Sequence, residues 1–158
     1  MEIAGLPLHP LIVHAVVVFA PLAALLAIGY AVLPRWRWAL RGVLVGTTIL
    51  AVGSGALAAA SGSALLDARE ALKAIPAVGE HVDIGGRLRN VLLGFGAVAL
   101  AAAWRLGGSS GLVSGRGARP EHGGPGDRIL QVVLVLAAVA VLVLTIQAGH
   151  SGATAVWG

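Results

Sequence analysis

Three stretches of this sequence are long, apolar and free of charged residues. They cover residues 11–33, 42–66 and 129–149, which are 23, 25 and 21 residues long. Each can cross about 30 Å of hydrocarbon as a helix, since a helix rises about 1.5 Å per residue. The runs lack the polar–apolar alternation of half-buried strands, and inside a bilayer only helices or closed barrels satisfy the backbone. The sequence therefore predicts membrane-spanning helices.

The overall composition supports the same environment. Hydrophobic residues make up 58% of the 158 positions and charged residues only 11%, whereas soluble domains are about 25% charged. A soluble globule with so few charges would expose wide apolar patches and aggregate. The composition thus excludes a disordered chain and indicates the lipid bilayer as the partner of most of the surface.

A further span is predicted between residues 66 and 129, although only residues 90–104 are uncharged there. A helix that starts near Ile84 can still cross if Arg87 and Arg89 extend their side chains toward the headgroups. We therefore predict an all-α fold, an integral membrane four-helix bundle. It forms a single membrane domain over residues 1–158, with helices at about 10–33, 40–63, 85–106 and 128–149.

The connections between these helices have different compositions. Residues 107–127 are rich in glycine and predict a flexible loop. Residues 65–75 carry apolar side chains near helical spacing, which predicts a short amphipathic helix at the interface that ends at Pro76 and Gly79. The sequence shows no convincing internal repeat.

The basic residues indicate an orientation. The connections at residues 34–41 and 105–128 hold seven of the eleven Lys and Arg residues, and the opposite end holds four. By the positive-inside rule, both connections lie in the cytoplasm and both termini lie on the outer, non-cytoplasmic side. The net charge of +4 is then mostly a signal of topology, and no nucleic-acid partner is predicted.

The absence of cysteine restricts the available chemistry. With no Cys, disulfides, thiolate zinc sites, iron–sulfur clusters, covalent haem attachment and cysteine nucleophiles are excluded. A bound metal or haem must then use histidine or carboxylate ligands. The sequence has no phosphate loop, dinucleotide fingerprint or serine-hydrolase motif, so no catalytic residue is assigned and enzymatic activity is left undecided.

Four predicted spans bring most of the histidines to one end of the bundle. His122 alone falls in the glycine-rich loop. His14 lies deepest, about 7.5 Å further into the membrane than His9 at helical rise. An ionisable side chain at that depth is costly and indicates function. The predicted outer-face cluster consists of His9, His14, His81, His150 and Asp67.

Two kinds of cofactor fit this cluster, and we expect a redox or electron-transfer module. Two imidazoles from different helices could ligate a b-type haem, with His14 paired with His150 or His81. Alternatively, three or four of these histidines, with Asp67 or Glu80 nearby, could bind a copper or zinc ion. A third interpretation is a structural membrane anchor, or a subunit of a larger complex, without a cofactor. A homo-oligomer or a redox partner protein is the expected protein contact.

The histidine motifs resemble those of a known family. Residues 6–14, Leu-Pro-Leu-His-Pro-Leu-Ile-Val-His, are similar to the HPxxVH start of a bacterial membrane family catalogued as domain of unknown function 2231. Residues 55–67, 81–85 and 149–158 resemble its other motifs, although Ala153 stands where a second glycine is usual. The resemblance implies a multi-pass protein of the bacterial plasma membrane. Relatives joined to Rieske-type iron–sulfur domains imply redox work, but the family has no agreed activity.

Overall fold

The computed structural model describes residues 2–3, 6–120 and 123–157. Four long helices dominate the described part of the chain, and a short antiparallel pair of strands precedes them. Two short 3-10 turns, Pro34–Trp36 and Glu70–Ala74, connect consecutive helices. The strands and helices are β1 (Glu2–Ile3), β2 (Leu6–Pro7), α1 (Leu8–Val32), α2 (Arg37–Ala68), α3 (Pro76–Arg105) and α4 (Pro125–Trp157).

All four helices are long and apolar enough to cross a membrane. The fold is all-α apart from the two-residue strands, and the four-helix architecture follows the prediction. Large apolar side chains on the outer surface, such as Leu25 and Ile146, are more than half exposed. Lipid would cover such side chains, whereas water would not favour their exposure.

The start of α3 differs from the prediction. Where a short interfacial helix was expected, only the 3-10 turn Glu70–Ala74 forms, because α2 runs to Ala68 and α3 begins at Pro76. Proline suits the first position of a helix, since its fixed φ is helical and its missing N–H needs no partner there. Pro76 therefore begins a helix where the sequence was expected to end one. His81 lies inside α3 rather than in the loop before it.

The helices pack in a ring in chain order. α1 lies against α2 and α4, and α3 lies against α4 and α2. α1 and α3 therefore occupy opposite corners of the bundle and run in the same direction. Small residues fill much of the core between them, including Ala20, Ala24, Ala27 and Ala99. Such residues let membrane helices approach closely.

The bundle consists of two copies of one helical hairpin. The seven buried residues of α1 lie between positions 16 and 31, and the residues 72 positions later in α3 are its seven buried residues. Likewise, each of the six buried residues of α4 has a buried counterpart 90 positions earlier in α2. We call α1–α2 the first hairpin and α3–α4 the second hairpin. An approximate two-fold axis along the bundle relates them, as in membrane proteins built from parallel repeats.

The two hairpins meet at closely packed glycines. A Cβ atom on Gly96 would lie 2.8 Å from Cγ2 of Val52, and one on Gly55 would lie 2.8 Å from Cδ1 of Leu92. Real Cβ atoms do not approach other atoms so closely. The Leu92 side chain can turn away from Gly55, whereas Val52 is stiff, so Gly96 is the position that needs glycine for α2 and α3 to pack as they do.

We expect Gly96→Leu to destabilise the bundle by about 1–3 kcal/mol, because overpacking forces the neighbouring side chains and helices apart. Gly94→Leu is the matched control on the same helix, since a Cβ on Gly94 meets no atom within 4 Å. Unfolding in mixed detergent micelles, followed by far-UV circular dichroism, measures both variants. Equal stability of the two variants would contradict the packing described here.

Two arginines, Arg37 and Arg41, form hydrogen bonds with backbone carbonyls at the opposite end of the bundle. Arg37 is 3% exposed, and its guanidinium donates hydrogen bonds to the carbonyl oxygens of Tyr30, Ala31 and Gly107 at 3.0, 3.2 and 2.9 Å. Arg41 donates to the Gly117 carbonyl at 3.3 Å. The glycine-rich loop is therefore tethered to the first hairpin, which its composition alone did not predict.

Candidate histidine site between the two hairpins

His9 lies at the start of α1 and is held by α2. Its Nδ1 atom is 3.0 Å from the carbonyl oxygen of Ala58 and 3.2 Å from the hydroxyl of Ser61. The imidazole ring lies against Gly62, where a Cβ would come within 3.1 Å of the ring. These three residues, Ala58, Ser61 and Gly62, form what we call the first shelf.

His81 has the equivalent position in the second hairpin. Its Nδ1 atom is 3.1 Å from the hydroxyl of Ser151, and its ring lies against Gly152, where a Cβ would come within 3.0 Å. Ser151 donates its own proton to the carbonyl oxygen of Ala148 at 3.2 Å. Ala148, Ser151 and Gly152 form the second shelf, on α4.

The shelves determine which imidazole nitrogen carries the proton. A carbonyl oxygen can only accept, and each serine hydroxyl donates its single proton to a shelf carbonyl, at 3.0 Å for Ser61 and 3.2 Å for Ser151. Nδ1 of His9 must therefore be the donor to the Ala58 carbonyl. We assign the same tautomer to His81, with its Nδ1 donating to the Ser151 hydroxyl. Each Nε2 then carries a lone pair, and within the described residues it has no hydrogen-bond partner. This is the arrangement of a metal-ligating histidine, whose other nitrogen donates to an outer acceptor.

The two imidazoles meet edge to face across the junction of the hairpins. Their ring centroids are 6.2 Å apart, and their planes are inclined by 73°. Both side chains are partly buried. Since α1 and α3 occupy opposite corners of the bundle, the pair lies near the approximate two-fold axis.

The other predicted site residues lie elsewhere. His14 is exposed, and its Nδ1 is 2.6 Å from the carbonyl oxygen of Pro10 on its own helix. Five residues of helix turn the side chain of His14 about 140° from that of His9, so the two cannot share one face. His150 and Asp67 are also exposed, and Asp67 pairs with Lys73 at 3.4 Å.

Of the predicted cluster, the structure thus brings together only His9 and His81. No three histidine, aspartate or glutamate side chains converge in the described residues in a way that could hold one metal ion. His122 lies outside the described residues.

Sequence reasoning missed the shelf residues, although a signal was present. Residues 58–62 and 148–152 share the pattern Ala-x-x-Ser-Gly, and residues 9–12 and 81–84 share His-x-x-Ile. These short matches carry little weight alone. They become meaningful when the burial pattern shows that both pairs occupy equivalent places in two hairpins.

Comparison with known families identifies the family of this chain. A family model described as "Predicted membrane protein (DUF2231)" matches residues 5–158. The chain belongs to this family. The match confirms the resemblance of the histidine motifs, and the family covers both hairpins and both shelves. No curated protein and no solved structure matches the chain. The family description names no activity.

Proposed function

We propose that the chain binds a b-type haem, which His9 and His81 would hold through their imidazoles, and that it works as an electron-transfer module. The observation that supports the proposal is the pair of shelf-held imidazoles on opposite corners of the bundle. Haem ligation by facing histidines is a common use of helical bundles. When bound, the haem iron supplies one-electron transfer.

The number of ligands favours haem over a bare ion. Zinc in proteins usually takes three or four protein ligands, and copper sites are similarly demanding. Haem iron already has four porphyrin nitrogens and needs only two more. Two neutral imidazoles are what the described residues offer, so His9 and His81 complete a haem better than they complete a copper or zinc site.

The spacing of the rings fits the same assignment. A metal atom bound to both Nε2 atoms at about 2 Å, the usual metal–imidazole distance, would hold the ring centroids roughly 6 Å apart. The observed separation is 6.2 Å. The shelves would keep each ring in the ligating tautomer and make its Nε2 a stronger donor. The porphyrin would lie at the junction of the two hairpins rather than inside either hairpin.

Visible absorption spectroscopy of the purified protein tests the proposal. We expect protein expressed with haem supplied to show a Soret band, split and sharpened α and β bands on reduction, and one haem per chain. Colourless protein that also lacks bound metal by elemental analysis would overturn the proposal. The histidines would then be a helix-end contact in a structural anchor or in a subunit of a larger complex.

We further propose that the histidine end faces the outer side of a bacterial plasma membrane, where it would meet a redox partner protein. The natural absence of cysteine makes this testable by single-cysteine labelling. In intact cells we expect a membrane-impermeant maleimide to label Lys73→Cys at the histidine end but not Ser114→Cys in the loop. Both positions are exposed. Labelling of Ser114→Cys alone would invert the orientation while leaving the haem proposal unaffected.

A further inference from the structure

A second site lies on the outer face of the second hairpin. A cavity of about 400 Å³ opens between α3 and α4 at the histidine end. Among the described residues, the carboxylates, the guanidinium and the imidazole in its wall form no ion pair and no side-chain hydrogen bond. The cavity is lined by Glu80, Asp83, Arg87, Gln147, His150 and Ser151.

The first hairpin shows whether the fold itself requires these polar side chains. In the first hairpin, the positions equivalent to Glu80, Asp83 and Arg87 are occupied by apolar residues, and so are those equivalent to Gln147 and His150. Of the lining residues, Ile84 and Ser151 are shared, with Ile12 and Ser61 as their counterparts. The fold therefore packs without these polar groups. Their presence on one hairpin only is therefore not a requirement of helix packing. The apolar counterparts are Leu8, Leu11, Ala15, Leu57 and Ala60.

The charges follow a defined order along α3. Glu80 and Asp83 lie in its first turns, next to the connection from α2, and so lie nearest the water. Arg87 lies four residues beyond Asp83, which is about 6 Å closer to the membrane centre at helical rise. Arg89 and Asn90, whose side chains are hydrogen-bonded to each other, follow within one turn. Beyond them the surface becomes apolar and open, because a Cβ on Gly94 meets no atom within 4 Å and Val143 is 48% exposed.

We propose that this cavity binds the headgroup of an ethanolamine phospholipid. In such a lipid the ammonium group is outermost, the phosphate lies deeper, and the acyl chains follow. This order matches the carboxylates, the guanidinium and the apolar surface in turn. The ammonium would donate charge-assisted hydrogen bonds to Glu80 and Asp83, while Arg87 and Gln147 would donate to the phosphate and ester oxygens. The apolar surface beyond Arg87 selects a lipid over free phosphoethanolamine.

Lipid binding to the detergent-solubilised protein, measured by native mass spectrometry, tests this assignment. We expect phosphatidylethanolamine to bind several-fold more tightly than phosphatidylcholine, whose choline has no N–H donor, or phosphatidylglycerol, which has no cation for the carboxylates. In the double variant Glu80→Gln/Asp83→Asn, we expect binding of phosphatidylethanolamine to weaken about three- to tenfold, since each exposed charge pair is worth little. Arg87→Gln should weaken all three phospholipids.

Asp67→Asn is the matched control, because Asp67 is an exposed carboxylate at the same end of the bundle but outside the cavity. It should leave the lipid preference unchanged, and glycerophosphoethanolamine in water should not compete. Equal binding of the three lipids, an unchanged preference in the double variant, or competition by the soluble headgroup would overturn the proposal. Far-UV circular dichroism verifies that each variant is folded. The expected lipid-binding results do not depend on whether haem is bound.

Discussion

His9→Ala and His81→Ala are each expected to remove the Soret band almost completely. Each substitution would remove one of the two imidazoles that hold the haem, and the other histidines among the described residues, His14 and His150, are exposed. Ser61 and Ser151 contact the imidazoles only through Nδ1. Removing either ring should therefore leave the residues of both shelves in place. The absorption spectrum, normalised to protein, measures the loss.

Two controls keep this prediction specific. His14→Ala and His150→Ala remove exposed imidazoles and should leave the spectrum unchanged. Added imidazole should partly restore the band in His9→Ala and His81→Ala, because a small ligand fits the space that the side chain leaves. If His14→Ala or His150→Ala abolished the band while His9→Ala retained it, the ligand assignment would be wrong. Unchanged helical content in all four variants separates loss of a ligand from loss of the fold.

Arg37→Leu is expected to cause the largest loss of stability. Leucine keeps an apolar stem but leaves the carbonyls of Tyr30, Ala31 and Gly107 without the donors that they now have. Each buried acceptor left unsatisfied costs about 1–3 kcal/mol, so the free energy of unfolding should fall by about 3 kcal/mol or more. The guanidinium also places positive charge near the C-terminal ends of α1 and α3, which favours both helix dipoles.

Arg35→Leu is the matched control, since Arg35 is exposed and lies two residues away. Its change in unfolding free energy should stay within about 0.5 kcal/mol. Detergent-induced unfolding followed by circular dichroism compares the two variants. Arg37→Lys should recover only part of the loss, because an ammonium cannot reproduce the planar fork of donors. Similar stabilities of Arg35→Leu and Arg37→Leu would contradict the role assigned to Arg37.

The number of helices could be predicted from the sequence because each span depends on a local property. A run such as residues 129–149 is apolar enough to cross a bilayer whatever it packs against. The start of α3 was harder to predict, because proline can either end a helix or begin one. The local sequence around Pro76 does not distinguish the two roles. The gathering of histidines at one end also followed from counting spans.

The pairing of the histidines could not be predicted in the same way. Depth in the membrane favoured His14, whereas the structure pairs His9 with His81. Which side chains meet depends on the rotation of each helix about its own axis, and that rotation is set by packing against neighbours rather than by the helix's own sequence. In α1 the apolar pattern gives no guidance, because lipid and core are both apolar and every face is hydrophobic.

The internal repeat escaped sequence reasoning for a related reason. Equivalent buried positions hold different residues, as in Tyr30 and Ala102 or Arg37 and Asp127. The repeat is conserved as a pattern of burial, which only the packed helices display. The burial pattern places the Ser-Gly pairs of the two shelves at equivalent positions. It also shows that the charged cavity is present on only one of the two hairpins.

The sequence by itself therefore determined the environment, the number of spans and the absence of thiolate chemistry, since hydropathy, length and composition need no partner. The tertiary structure alone decided which two imidazoles face each other, which nitrogen of each carries the proton, and which arginine fastens the loop. Those outcomes depend on contacts between residues 49 to 76 positions apart, such as His9 with Ala58 and Tyr30 with Leu106. Helix rotation and packing create such contacts, and no local pattern records them.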